Sequence, residues 1–141
     1  MNKIRLIVIS VMLALLAACQ VSGPTRLQPF TTDGCSRFPE GTHAHRDLWH
    51  QCCTEHDKKY WAGGSAEERM SADEALHACV KSVGKPEIAA LMLAGVRVGG
   101  SPWWPSAFRW GYGWPFSNGY RALTPEEQEQ VHQLGGVQGL K

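Results

Sequence analysis

Four cysteines constrain this 141-residue chain more than any other feature: Cys35, Cys52, Cys53 and Cys79. Two of them are neighbours, and a bridge between adjacent residues would be strained. The start of the chain sets their redox environment. Lys3 and Arg5 are basic, and Leu6 to Ala18 is apolar apart from Ser10. That run is short for a bilayer-spanning helix and suits the core of a signal peptide. An even set of cysteines in an exported chain reads as two disulfides, with three connectivities open. Two bridges suit a mature domain of about 120 residues, whose hydrophobic core is modest.

The leader ends Leu16-Ala17-Ala18-Cys19, which resembles the lipobox of bacterial lipoproteins. The resemblance implies cleavage before Cys19 and lipidation of its thiol. Residues 1–18 are then a lipoprotein signal peptide, and Cys19 anchors the mature chain to a membrane. The rival is ordinary secretory cleavage, with Cys19 a bystander. Gln20, rather than Asp, follows Cys19. By analogy with lipoprotein sorting, that favours the outer membrane of a bacterial envelope over the inner. The whole chain has 14 basic and 13 acidic residues. Loss of Lys3 and Arg5 leaves 12 and 13, net −1. This balance gives no case for nucleic acid and no strong preference for anionic surfaces. At 43% hydrophobic, the chain is too apolar to be disordered.

Residues 19–32 hold Ser22, Gly23, Pro24, Pro29 and three Thr, and read as a lipidated tether, flexible or extended. Residues 33–43 carry turn formers throughout and should be a loop. From about Arg46 to Trp61 there is no Gly or Pro, and Trp49, Cys52, Cys53, His56 and Tyr60 recur at helical steps. Gly63-Gly64 stops that helix. Ser65 and Glu68 form a capping-box pattern opening a second helix to about Val83. Its Met70, Asp73, Leu76 and Val80 share a face. The short connection makes the two helices antiparallel neighbours. Pro86 opens a third helix, with Ile88, Leu91, Met92, Val96 and Val98 suited to packing, that ends at Gly99-Gly100. Residues 101–120 hold eight of the 13 aromatics. They read as a loop or short hairpin that covers the helices and completes the core. A second reading makes Trp110, Tyr112, Trp114 and Phe116 an interfacial platform or acyl-chain wall. Thr124, Pro125 and Glu127 open a last polar helix, and residues 135–141 should form a flexible tail.

The central string Cys52-Cys53-Thr54-Glu55-His56-Asp57-Lys58-Lys59-Tyr60 resembles the active-site helix of the secreted phospholipase A2 superfamily, Cys-Cys-x-x-His-Asp-x-x-Tyr. Asp73 and Cys79 match that family's second catalytic carboxylate and following half-cystine. Asp33-Gly34-Cys35 lies where the family has its calcium loop, and the bacterial branch has a similar Asp-x-Cys. The likeness spans roughly residues 33–80. It implies a mainly α, phospholipase A2-like domain over residues 33–134, with two antiparallel disulfide-linked helices. It also implies bridges Cys35–Cys53 and Cys52–Cys79, and Ca²⁺ held by Asp57, the Gly34 carbonyl and Asp33. His56, Asp73 and Tyr60 would be the catalytic group. The implied activity is calcium-dependent hydrolysis of the sn-2 ester of phospholipids in a bilayer or micelle, by a monomer. The loop departs from the animal Cys-x-Gly-x-Gly pattern, reading Cys35-Ser36-Arg37-Phe38-Pro39-Glu40-Gly41.

The residues themselves allow that chemistry. His56 and Asp57 point about 100° apart on a helix, so they can face different neighbours. Across antiparallel helices His56 can meet Asp73, which would fix its tautomer and leave the other nitrogen to take a proton. Tyr60, one turn on, can bond the same carboxylate. Asp57, Asp33 and backbone carbonyls form an all-oxygen set that suits a hard cation. Zinc on Cys52, Cys53 and nearby histidines is disfavoured by ligand spacing and compartment. His43, His45 and His50, like Lys58 and Lys59, read as solvated. Two other functions remain: a non-catalytic lipid-binding or structural envelope lipoprotein on the same scaffold, and an esterase for another envelope acyl ester.

Overall fold

A computed structural model describes residues 25–136. The signal segment, Cys19 and residues 137–141 lie outside the described residues. The fold is mainly α, with four helices and no strand among the described residues: α1 His50–Ala62, α2 Ala66–Ser82, α3 Pro86–Gly99 and α4 Pro125–Gly136. None is long and apolar enough to cross a membrane.

Helix α1 begins four residues later than the Gly/Pro-free run suggests. The preceding loop captures Trp49: its backbone N–H donates to Glu40 O and its indole to Pro39 O at 2.6 Å. The helix buries Cys52, Cys53, His56, Tyr60 and Trp61. Helix α2 opens on the expected capping box, with Ser65 Oγ accepting from Glu68 N–H and Glu68 accepting from Ser65 N–H. Its buried face is Arg69, Ala72, Asp73, Leu76 and Val80. Met70, expected on that face, is exposed, because Arg69 finds enough partners to occupy the inner position. Helix α2 packs against both α1 and α3.

Disulfides join Cys35 to Cys53 and Cys52 to Cys79, with Cα separations of 5.0 and 5.7 Å. The first ties the 33–41 loop to α1, and the second ties α1 to α2. Both lie in a core with Trp49, Leu76, Val80, Ala89 and Met92.

A second core is built largely from irregular chain. Trp61 and Trp114 pack with Leu27 and Phe30, so residues 25–32 belong to the folded unit rather than to a free tether. This segment is clamped from three sides. Gln28 N–H donates to Gly113 O at 2.8 Å, Leu27 N–H to Gln130 Oε1 at 2.9 Å, and Trp61 Nε1–H to Gln28 O at 2.8 Å. The aromatic segment also places Trp114 Nε1–H on Ala62 O, the last carbonyl of α1, and Trp110 Nε1–H on Gly64 O just beyond it. Gly113 lets this wrap close on the helix: a Cβ there would lie 2.5 Å from Trp61 Cδ1. Helix α4 starts on a Thr124/Glu127 capping box and continues through Gly135 and Gly136, into the stretch expected to be tail.

Candidate active site

His56 on α1 faces Asp73 on α2. Its Nε2 lies 3.0 Å from Asp73 Oδ1, and both side chains are buried. The acceptor carboxylate assigns the proton to Nε2. Among the described residues Nδ1 makes no hydrogen bond, and it lies 4.0 Å from Asp57 Oδ1. The two helices thus leave a buried imidazole oriented from behind with its second nitrogen unengaged.

Tyr60, one turn beyond His56, donates to the same Asp73 oxygen at 2.7 Å. Burial pushes the phenol well above its ordinary range, with Asp73 adding to the effect, so Tyr60 stays a donor. Its oxygen accepts from Arg69 Nε at 3.0 Å. Arg69 also donates to Val96 O, which accepts from Gly100 N–H as well, and to Arg97 O, in the last turn of α3 where a cation is favoured. Its Nη1 donates to the Tyr120 hydroxyl. On the far side of Asp73, Arg97 Nε is 2.9 Å from Oδ2. The N–H is not aimed at that oxygen, so the contact is an ion pair rather than an aligned hydrogen bond. Full burial of Asp73 is tolerable because two guanidinium groups, a phenol and an imidazole surround it.

Asp57 looks the other way, toward the 32–37 loop. Its Oδ2 accepts from Thr32 Oγ1–H at 2.6 Å, and the same hydroxyl oxygen accepts from Gly34 N–H at 3.0 Å. Asp33 lies close by, accepting from Ser36 Oγ at 3.0 Å. Burial pushes the Asp57 carboxyl up to about 6; the Asp33 charge adds to the rise, while Thr32 and His56 oppose it. Gly34 adopts φ +72°, a left-handed conformation that strains an L side chain and favours glycine here, with Glu40 Oε1 filling the space a Cβ would take. Glu40 Oε1 lies 3.1 Å from His50 Nδ1.

This corner suits a hard divalent cation in donor chemistry. Two neighbouring carboxylates are short of positive charge: no Lys or Arg among the described residues lies within ion-pair distance of Asp57. No group of three or more His, Cys, Asp or Glu side chains converges among the described residues. Other ligands of a cation here would be backbone carbonyls and water, as oxygen-rich Ca²⁺ sites allow.

A cleft of about 340 Å³ opens in front of His56, Asp57 and Tyr60. Its walls are apolar, from Phe38, Leu76, Leu91, Met92, Val96 and Phe108. Gly95 and Gly99 of α3 line it too, and a Cβ at either would meet nothing within 4 Å. A smaller hollow of about 160 Å³ adjoins it, sharing Asp57 and Phe108, with Thr31, Thr32, Asp33 and Tyr112 around it.

His56, Asp73 and Tyr60 therefore meet in one network, while Asp57, Asp33 and Gly34 meet at the loop. Cys19 lies outside the described residues. His43 and His45 are exposed, and all four cysteines expected to pair do so. Sequence reasoning missed Arg69, Arg97 and Thr32. Arg69 had a local signal, four residues before Asp73 on one helix. Arg97 stood out as a charge in an otherwise apolar stretch. Thr32 had none, since it reaches Asp57 from 25 positions away. Compared with known proteins, the chain matches no family model, no curated protein and no solved structure.

Proposed function

We propose that the protein is a calcium-dependent, phospholipase A2-like enzyme that hydrolyses the sn-2 acyl ester of phospholipids at a membrane surface. The observation that carries this reading is the buried Nε2···Asp73 contact of 3.0 Å, which leaves His56 Nδ1 unengaged beside Asp57 in an apolar cleft.

Asp73 holds the imidazole in the Nε2–H tautomer and stabilises its cationic form; Tyr60 and Arg69 fix Asp73 in turn. Nδ1 then accepts a proton from a water, whose oxygen bonds to the ester carbonyl carbon. When the bond to the glycerol oxygen breaks, Nδ1–H returns its proton to that oxygen. Fatty acid and lysophospholipid leave, and no covalent acyl-enzyme is required. Asp57, with Asp33 and the Gly34 carbonyl, would hold a Ca²⁺ that supplies positive charge for the substrate phosphate and the developing oxyanion. The apolar walls from Leu91, Met92 and Phe108 accommodate acyl chain. The lipobox-like leader supports a lipid-anchored envelope location.

Calcium titration against defined phospholipids tests the reading. Release of fatty acid that requires Ca²⁺ and is lost in His56→Ala supports it. Lipid binding without turnover, unchanged by that substitution, would replace it with a non-catalytic envelope lipoprotein.

A further inference from the structure

Arg97 is the only charged residue on α3 after Glu87, and its side chain reaches across to α2. Its Nε stands 2.9 Å from Asp73 Oδ2 and its Nη2 3.0 Å from Glu74 Oε1. The Glu74 arm lies at the surface, with that side chain 60% exposed, and an ion pair so exposed contributes little. The Asp73 arm is different, because that carboxylate is fully buried. A guanidinium placed there meets a charge that water does not reach.

The two oxygens of Asp73 have different tasks. Oδ1 accepts from His56 Nε2–H and from the Tyr60 hydroxyl. Oδ2 accepts no aligned hydrogen bond, and the cations near it are Arg97 and, at 3.9 Å, Arg69. Arg69 is already committed: its three nitrogens donate to Tyr60, Tyr120, Val96 O and Arg97 O. Turning to Oδ2 would break that set, so Oδ2 depends on Arg97. The two arginines clasp the seam between α2 and α3 in opposite directions. Arg69 of α2 holds the Arg97 carbonyl, while the Arg97 side chain of α3 holds the α2 carboxylates.

We infer that Arg97 is a positioning residue: by holding Asp73 Oδ2 it keeps Oδ1 turned to the imidazole, and so keeps the proton on His56 Nε2. A buried carboxylate with one oxygen left unpaired would rotate to share its remaining donors, and the His56 contact would loosen. Arg97 does not line the cleft, although Val96 and Gly99 of the same helix do. It therefore acts on His56 through Asp73 and not on a bound substrate. The inference rests on the phospholipase reading only for the use made of His56; the orientation of the ring is measured without turnover.

Nuclear magnetic resonance of the full chain, isotope-labelled at the histidine nitrogens, provides the test. All six histidines lie among the described residues and only His56 is buried, so its Nε2–H is the ring proton that exchanges slowest with water. In Arg97→Gln, which removes the charge and keeps a polar side chain, that exchange should speed up about tenfold, the scale of losing one partner in a buried network. Arg97→Lys, which restores a cation within reach of Oδ2, should return the rate to within about threefold of wild type. Circular dichroism should be unchanged in both, and Arg97→Met replaces the glutamine variant if that one does not fold. An unchanged exchange rate in a folded neutral variant overturns the proposal. So does equal acceleration in the lysine and neutral variants, which would leave Arg97 a packing role. Turnover adds a second readout: kcat on phospholipid should fall about tenfold in Arg97→Gln with KM unchanged, since no cleft contact is lost. A rise in KM with kcat unchanged overturns the positioning role. A wild-type protein that hydrolyses no phospholipid refutes the phospholipase reading instead, and the ring-proton comparison still decides the role of Arg97.

Discussion

Two regions of this molecule solve the same packing problem by different means. Helices α1 and α2, with the 33–41 loop, are regular and covalently crosslinked, and their periodic faces bury around two disulfides. The segments 25–32 and 101–123 contain no regular element. They are held by indole N–H groups on carbonyls, by Gly113 closing on Trp61, and by partners far away in sequence. The first region supplies the buried pair of His56 and Asp73. The second supplies what surrounds it: Thr32 on Asp57, Phe108 in the cleft wall and Tyr120 on Arg69. The geometry of the candidate site is thus split between a stapled half and a wrapped half.

The largest expected effect falls in the stapled half. His56→Gln should lower turnover of phospholipid by about 10²- to 10⁴-fold, read as fatty acid release, because a general base of this kind contributes that much. An undiminished rate would move the chemistry elsewhere. Trp61→Ala attacks the seam instead. It empties the pocket between Leu27, Phe30 and Trp114 and should cost about 3–5 kcal/mol in urea unfolding. A loss below about 1 kcal/mol would mean that the crosslinked half stands without its wrap.

Proton linkage sharpens the contrast at Asp57. Folding raises this carboxyl from 3.8 to about 6. Between those values the folded metal-free protein binds more protons than the unfolded chain. Stability from this group is therefore fully present below the unfolded value and lost as pH rises through about 6, by about 3 kcal/mol in all. Calcium should raise the thermal midpoint clearly at about pH 7 and little at about pH 4.5. Equal shifts at both would remove Asp57 from the cation site.

Gly113→Ala should destabilise by about 1–3 kcal/mol, since the new Cβ would overlap Trp61 and Leu27. Chemical denaturation of this variant measures how tightly the wrap must close. The smallest effect is at Thr32. Thr32→Val removes the donor to Asp57 and the acceptor for Gly34 N–H, at about 1–2 kcal/mol. Terbium luminescence should report weaker cation binding in Thr32→Val and near-normal binding in Thr32→Ser. Identical affinities in all three would make Thr32 a bystander.

Much of the stapled half is legible in one dimension. Trp49, Cys52, Cys53, His56 and Tyr60 announce a buried helical face, and Ser65 with Glu68 announces the next start. These signals work because a helix turn involves residues three and four apart, so its preferences sit within one short window. Misreadings arise where a distant partner outbids local pattern. Met70 looks apolar enough to bury, yet Arg69 goes in because Tyr60 and the α3 carbonyls await it. Val98 and Leu91 look like packing residues, yet no described element covers them.

Residue order alone determined the four helices to within a few positions, the paired cysteines as a framework, and His56, Asp73 and Tyr60 as members of one set. Each follows from spacing along the chain. Only the folded arrangement decided that residues 25–32 join the core, that two arginines flank Asp73, that Thr32 serves Asp57, and which tryptophans face solvent. Those outcomes depend on contacts between segments up to 105 positions apart. Such contacts form only when the whole chain has closed around them, and no short window of sequence carries their energy.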